Sequence, residues 1–190
     1  MSSLNEYLHQ KRDALVTLRD RLRSPEAGPV QLAASVAAEG RSGVRRIRIR
    51  DFQVVSDSPP DFAGYDLGPG SPELQLGVLG SCLTHSWLIQ AADQGVRLDD
   101  LQVEVTADLD PRASLLGVED IPPHPHNIAF VVHVTSPAGP EAIARVEAAV
   151  ERYCPILNLL KRPQTVVGRV EHSTDYHRGA AVPGGIEGRA

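Results

Sequence analysis

The stretch Ser71–Gly95, SPELQLGVLGSCLTHSWLIQAADQG, decides the fold of this chain. It opens with a hydroxyl that can cap a helix, a proline suited to the first helical position and an acid beside the positive helix end. Gly95 can adopt the left-handed conformation that closes a helix. Large apolar side chains between these ends occur around nearly the whole circumference, which is typical of a helix buried on all sides. The sequence therefore predicts a buried central helix over Ser71–Gln94.

The other periodic segments predict two helices and five strands. The helices are Leu4–Arg23 and Pro140–Tyr153, and the strands are Val30–Ala38, Val44–Val55, Leu101–Leu109, Asn127–Thr135 and Gln164–His172. In the second strand isoleucines alternate with arginines, which indicates one buried and one solvated sheet face. Strands that come in pairs, with helices that do not strictly alternate with them, favour an α+β fold. We expect one mostly antiparallel sheet.

Length and loop composition predict three parts of the chain. A chain of 190 residues is sufficient for one domain with an appendage. Glycine and proline cluster at 56–71, at 110–125 and after His172, which indicates loops. We expect residues 1–28 to form an N-terminal helical extension, residues 29–173 to form the domain, and residues 174–190 to be a flexible C-terminal tail.

Charge and hydropathy exclude several classes of protein. A net charge of −5 argues against a general nucleic-acid binder, which needs a basic face. No apolar run approaches the roughly 18 residues of a membrane span, and the N-terminus lacks the apolar core of a signal peptide. We therefore expect a cytoplasmic protein with no nucleic-acid or membrane partner. In that reducing compartment, two cysteines are not expected to form a permanent disulfide.

The two cysteines, Cys82 and Cys154, are the candidate reactive groups. Free cysteines are among the most buried residue types, and most are inert. However, Cys82 has His85 one turn away on the same helix face, and Cys154 ends another core-facing helix. If the two thiols meet, one can attack a peroxide O–O bond and become a sulfenic acid, and the other can condense with it to a disulfide.

A buried thiol needs a cation, because burial raises its pKa. Arg41, in the turn EGRSG, is the candidate cation, and Glu73 at the start of the central helix is the candidate anion that holds it. The alternatives, an exposed turn arginine and an ordinary acid at a helix N-terminus, stay open. The histidines provide no closed set of four metal ligands, so we expect neither a metal site nor a cofactor.

Three segments resemble the OsmC/Ohr family of thiol-dependent hydroperoxide-detoxifying proteins. They are EGRSG at 39–43, SPELQLGVLGSCLTH at 71–85 and RYCPILNLLKRP at 152–163, and the resemblance covers about Val30 to His172. It implies an OsmC-like fold that forms an intertwined homodimer, with active sites at the subunit interface. It also implies an antioxidant role in the oxidative stress response: reduction of organic hydroperoxides with electrons from a dithiol, for instance a dihydrolipoyl protein.

Position by position, the resemblance implies a role for four residues. Cys82 matches the peroxidatic cysteine, Cys154 the resolving cysteine, Arg41 the arginine that activates the first thiol, and Glu73 the glutamate that holds this arginine. His85 is a possible auxiliary residue.

Two features depart from the family pattern. Cys82 is flanked as Ser-Cys-Leu, where the organic-hydroperoxide branch typically has Ala-Cys-Phe, and the Leu4–Arg23 helix is an addition to the minimal fold. Two functions therefore stay open besides a less favoured metal-binding protein. One is a two-cysteine thiol peroxidase, and the other is a non-catalytic stress protein that holds a small apolar ligand at the dimer interface.

Overall fold

The computed structural model describes residues 3–174, so residues 175–190 of the predicted tail lie outside the described residues. The helices are α1 (Leu4–Leu22), α2 (Ser71–Gln94), α3 (Arg112–Leu116), α4 (Pro140–Tyr153) and α5 (Pro155–Lys161). The strands are β1 (Ser35–Ala38), β2 (Arg45–Ile49), β3 (Phe52–Ser56), β4 (Asp100–Asp108) and β5 (His126–Thr135). Within this range, no helix is long and apolar enough to cross a membrane.

The chain divides into two compact units. Of the described residues, the first unit comprises 3–28 and Pro72–Pro163, and it contains the α-helices α1 to α5 with the β4–β5 hairpin. The second comprises Pro29–Ser71 and, within the described range, 164–174, and it contains strands β1 to β3. The N-terminal helix therefore belongs to the same unit as the central helix.

The core of the first unit is built on α2, which begins and ends as predicted and is followed by Gly95 at φ 67°. β4 and β5 are antiparallel, and alternate residues of the hairpin turn inward, because side chains alternate across a strand. One face in the first half of α2 stays exposed, including Val78. The core itself is continuous, and its buried members are Leu8, Leu79, Leu83, Trp87, Ala91, Ala92, Val96, Leu98, Val146, Val150, Cys154 and Leu157.

The N-terminal helix is tied to the α2 region by side chains as well as by packing. One of the leucines on its apolar face, Leu8, is buried in the core. Arg19 forms a bidentate ion pair with the carboxylate of Asp93, with N···O distances of 2.5 and 2.8 Å. The side chain of Asn5 accepts a hydrogen bond from the backbone N–H of Leu98 at 3.0 Å. A capping box at Ser3 and Glu6 explains where the helix starts.

The second unit is a three-stranded antiparallel sheet in the order β1-β2-β3. The loop that follows β3 is organised by Asp57, which is fully buried. Its carboxylate accepts hydrogen bonds from the backbone N–H groups of Tyr65 and Leu67 at 2.9 and 3.2 Å. Burial alone would raise the pKa of Asp57, but backbone N–H donors and the charge of Arg45 outweigh it and hold this pKa below its ordinary value.

Several sequence predictions about the strands are wrong. The single sheet is two sheets, and Val30–Ala38 is extended strand only over Ser35–Ala38. The predicted strand Val44–Val55 is a hairpin of β2 and β3, because Arg50 adopts φ 54° in a two-residue turn without the usual Asn-Gly or Asp-Gly signal. Gln164–His172 has no regular structure, since no described strand pairs with it.

Two short α-helices were not predicted. α3 lies in a segment whose glycines and prolines indicate a loop, and it has only five residues. α5 starts at Pro155, directly after the end of α4. Proline interrupts a helix interior but suits a first helical position, so the same residue ends one helix and starts the next.

Candidate active site

The two cysteine thiols are in direct contact inside the first unit. Cys82 lies in the first half of α2, and Cys154 is the single residue that separates α4 from α5. Their Sγ atoms are 3.4 Å apart, and both residues are free thiols. The fold therefore brings together two cysteines that are far apart in sequence.

The two thiols differ in their access to solvent. Cys154 is 0% exposed and belongs to the core, whereas Cys82 is half-buried and only packs against that core. A small molecule that approaches from solvent therefore meets Cys82 first, and Cys154 stands behind it.

Burial holds the pKa of the Cys82 thiol above its ordinary value. Smaller effects act on the same pKa: the nearby backbone of Ile156 lowers it, contact with Cys154 raises it, and the nearby side chain of Ser86 lowers it. Burial prevails among these effects, so Cys82 is mainly a neutral thiol at pH 7. A reactive thiolate at this position needs a further positive charge.

The corner between α4 and α5 sets the position of Cys154. Its backbone is extended, at φ −67° and ψ 114°, which is the conformation that a following proline favours. The side-chain amide of Asn158 donates to the carbonyl oxygens of Glu151, Arg152 and Cys154 at 3.1, 3.3 and 2.9 Å. Carbonyls at a helix C-terminus have no partner within the helix, and this one amide provides a hydrogen-bond donor for two of them, Glu151 and Arg152.

His85, one turn after Cys82, contacts the N-terminal helix. Lys11 Nζ lies 3.2 Å from His85 Nε2, and 3.1 Å from the hydroxyl of Tyr7. An ammonium group donates only, so Nε2 is the accepting nitrogen of a neutral ring. Burial, and then the charge of Lys11, hold the pKa of His85 below its ordinary value. His85 is therefore not a source of positive charge for Cys82 at neutral pH.

Arg41 and Glu73 lie in different units of the structure. Arg41 is exposed in the turn between β1 and β2 of the second unit, next to Gly40 at φ 56°. Glu73 is exposed in the first turn of α2 in the first unit. Their predicted roles toward the Cys82 thiol stay predictions.

Sequence reasoning missed three residues around the thiols. Ser86 and Asn158 each lie four positions after a cysteine, so each is one helical turn away. A polar residue one helical turn after a cysteine, inside an otherwise apolar segment, was the sequence signal that could have identified both. Lys11 interrupts the stripe of leucines on α1. The sequence gives no sign of its contact with His85, because the two residues are far apart in the chain.

A metal centre finds no support in the described residues. Within 3–174, no three His, Cys, Asp or Glu side chains lie close enough together to hold an ion. His133 faces Glu104 at 3.7 Å on the exposed side of the β4–β5 hairpin, and the ring of His126 bonds to the carbonyl of His124 at 3.2 Å.

The central helix carries a half-buried thiol that is in contact with a second, buried thiol. This chain is therefore a protein with a paired-thiol site. The family model for OsmC-like proteins matches residues 64–167. This match includes both cysteines and more than half of the sequence, so the chain belongs to the OsmC-like protein family. No curated protein sequence matches the chain significantly.

Solved structures of this family share the fold at low sequence identity. An OsmC-like protein from Mycoplasma pneumoniae superposes with a TM-score of 0.61 at 17% identity, over 70% of this chain and 89% of the other. An organic hydroperoxide resistance protein from Legionella pneumophila gives 0.50 at 18% identity, over 70% and 91%. An OsmC-like protein of unknown function from Vibrio cholerae gives 0.52 at 12% identity, over 68% and 93%.

Proposed function

We propose that this protein is a two-cysteine thiol peroxidase that reduces organic hydroperoxides to alcohols. The observation that carries the proposal is the 3.4 Å contact between a half-buried thiol and a fully buried one. In a pair of this kind, the more accessible thiol can react with the hydroperoxide, and the buried thiol can then form the disulfide with it. Relatives in fold that are named organic hydroperoxide resistance proteins support the same chemistry.

The reaction balances with a hydroperoxide and a dithiol as the two external reactants. The Cys82 thiolate attacks the terminal oxygen of R–O–OH, the O–O bond breaks, and the alkoxide takes a proton to become the alcohol. Cys82 is then a sulfenic acid. The Cys154 thiol condenses with it, which forms the disulfide and releases water. A dithiol, for which we propose a dihydrolipoyl protein, reduces the disulfide and is itself oxidised.

A count of free thiols before and after one equivalent of cumene hydroperoxide tests the proposal. We expect the loss of both thiols per chain, recovery of both with dithiothreitol, and one equivalent of cumyl alcohol. An unchanged thiol count would contradict the proposal and favour the non-catalytic ligand-binding protein.

We propose that Arg41 supplies the positive charge that Cys82 lacks and that Glu73 holds its guanidinium. In Arg41→Ala, the pH at which the alkylation rate of Cys82 reaches half its maximum should rise by about one unit. The sign follows because only the thiolate reacts with iodoacetamide, and loss of a nearby cation disfavours the thiolate. Arg48→Ala, another exposed arginine of the second unit, serves as the control. Identical profiles for the wild type and Arg41→Ala would contradict the role.

We also propose that the protein is a homodimer in the cytoplasm, where its thiols stay reduced between turnovers. One face of the β1–β3 sheet exposes the apolar side chains of Val36, Ile49, Phe52 and Val54. A contiguous exposed apolar patch is typical of an interaction surface. A second copy of the chain is the simplest partner, because closed two-fold dimers are the commonest assemblies.

The molar mass in solution checks the dimer. We expect about twice 20.5 kDa by light scattering at micromolar concentration. Phe52→Glu should shift the protein toward the monomer, because it places a charge in the apolar patch. Phe62→Glu, at a similarly exposed phenylalanine outside the sheet, should not. A stable wild-type monomer with full peroxidase activity would refute the dimer.

A further inference from the structure

We propose that Asn158 is a positioning residue for the disulfide-forming step. Its side-chain amide holds the corner between α4 and α5, and this corner presents the Cys154 thiol to Cys82. The inference rests on the proposed function. It extends that function to a residue whose side chain bonds to backbone carbonyls and not to either cysteine sulfur.

The hydrogen bonds of Asn158 cross the break between the two helices. The backbone N–H of Cys154 bonds to Val150 within the end of α4, and the backbone N–H of Asn158 bonds to Cys154 within the start of α5, at 2.9 and 3.1 Å. The Asn158 side chain lies on α5 but donates to Glu151 and Arg152 of α4 as well as to Cys154. It therefore ties the first turn of α5 to the last turn of α4.

The segment that Asn158 holds contains the thiol that contacts Cys82. The Sγ atom of Cys154 lies 3.4 Å from the Sγ atom of Cys82. α5 is short and is anchored in the core by Leu157. A change in the angle between α4 and α5 would move the Cys154 thiol relative to Cys82 on α2.

The position of Cys154 decides between two fates of the sulfenic acid. In resolution, the Cys154 sulfur attacks the Cys82 sulfur, the S–O bond breaks, and hydroxide leaves with the thiol proton as water. In overoxidation, a second hydroperoxide transfers oxygen to the sulfenic acid and gives a sulfinic acid and an alcohol. A thiol held at the right place acts at a high effective concentration, so a loosened corner slows resolution and favours the sulfinic acid.

The test compares Asn158→Asp and Asn158→Ala with the wild type. Aspartate has nearly the shape of asparagine, but its carboxylate cannot donate and would face three carbonyl oxygens. Gln94→Glu is the matched control, because Gln94 donates its amide to the Arg145 carbonyl of α4 at 3.5 Å, away from the corner. Each protein is equilibrated with mixtures of reduced and oxidised glutathione, and the fraction with the Cys82–Cys154 disulfide is measured.

We expect the equilibrium constant for the disulfide to fall about tenfold in Asn158→Asp and by a smaller factor in Asn158→Ala. Gln94→Glu should match the wild type. After an excess of cumene hydroperoxide, both Asn158 variants should carry more Cys82 sulfinic acid than the wild type by mass spectrometry. If Asn158→Asp does not fold, Asn158→Ala provides the same comparison.

An equilibrium constant equal to that of the wild type in both Asn158 variants would overturn the inference. If these variants also had a lower melting temperature, Asn158 would only stabilise the fold. The glutathione equilibrium requires no hydroperoxide. A protein that behaves as expected in it but does not reduce cumene hydroperoxide would contradict the proposed function and not the positioning role.

Discussion

Cys82→Ser should abolish the reduction of organic hydroperoxides, to the rate of buffer alone. A serine hydroxyl cannot become a sulfenic acid, and the remaining thiol, Cys154, is 0% exposed in the structure. The measurement is consumption of cumene hydroperoxide with dithiothreitol as reductant. The substitution exchanges sulfur for oxygen in a half-buried place, so the fold should persist, and circular dichroism checks this.

Cys154→Ser is the informative companion of this variant. It keeps the half-buried Cys82 thiol and loses the resolving one, so it should consume one equivalent of hydroperoxide rapidly and then stall as the sulfenic acid or overoxidise. Repeated turnover by Cys82→Ser would refute the assignment of the peroxidatic thiol. A Cys154→Ser variant that accumulates no more sulfenic and sulfinic acid than the wild type would refute the assignment of the resolving thiol.

Leu83→Ala should lower the free energy of unfolding by about 2–5 kcal/mol. Leu83 follows Cys82 on α2, is 0% exposed and belongs to the continuous core of the first unit. Its truncation removes apolar contacts and leaves a cavity that the surrounding helices and hairpin only partly close. Urea unfolding followed by circular dichroism provides the measurement.

Leu22→Ala is the matched control for this core substitution. Leu22 is 60% exposed at the end of α1, so the same chemical change should alter the free energy of unfolding by less than about 0.5 kcal/mol. Equal losses in the two variants would mean that Leu83 is not part of the folded core in solution.

Much of the first unit was predictable, because its signals are local. The ends of α2 follow from Ser71, Pro72 and Gly95, and α4 ends directly before Cys154, as predicted. Strands β4 and β5 lie within one residue of their predicted limits, since alternation of apolar and polar side chains marks a strand with one buried face. Periodicity and capping need only residues within a turn or a few positions of each other.

The second unit was predicted less well, and the reason is the weakness of its local signals. The turn at Arg50 has no glycine or asparagine, so the sequence indicates one long strand where the structure has a hairpin. The apolar pattern of Gln164–His172 is that of a strand, but a strand also requires a neighbour with which to pair.

By itself, the sequence determined the α+β class, the central helix and the order of the two cysteine segments, because these follow from residues that are near one another in the chain. Only the tertiary structure decided that Cys82 and Cys154 meet at 3.4 Å, that Asn158 holds the corner beside them and that Lys11 reaches His85. The contacts of Cys154 and Lys11 join residues that are more than 70 positions apart in the chain. Their geometry depends on how α1, α4 and α5 pack against α2, and packing of that kind is a property of the assembled core rather than of any one segment.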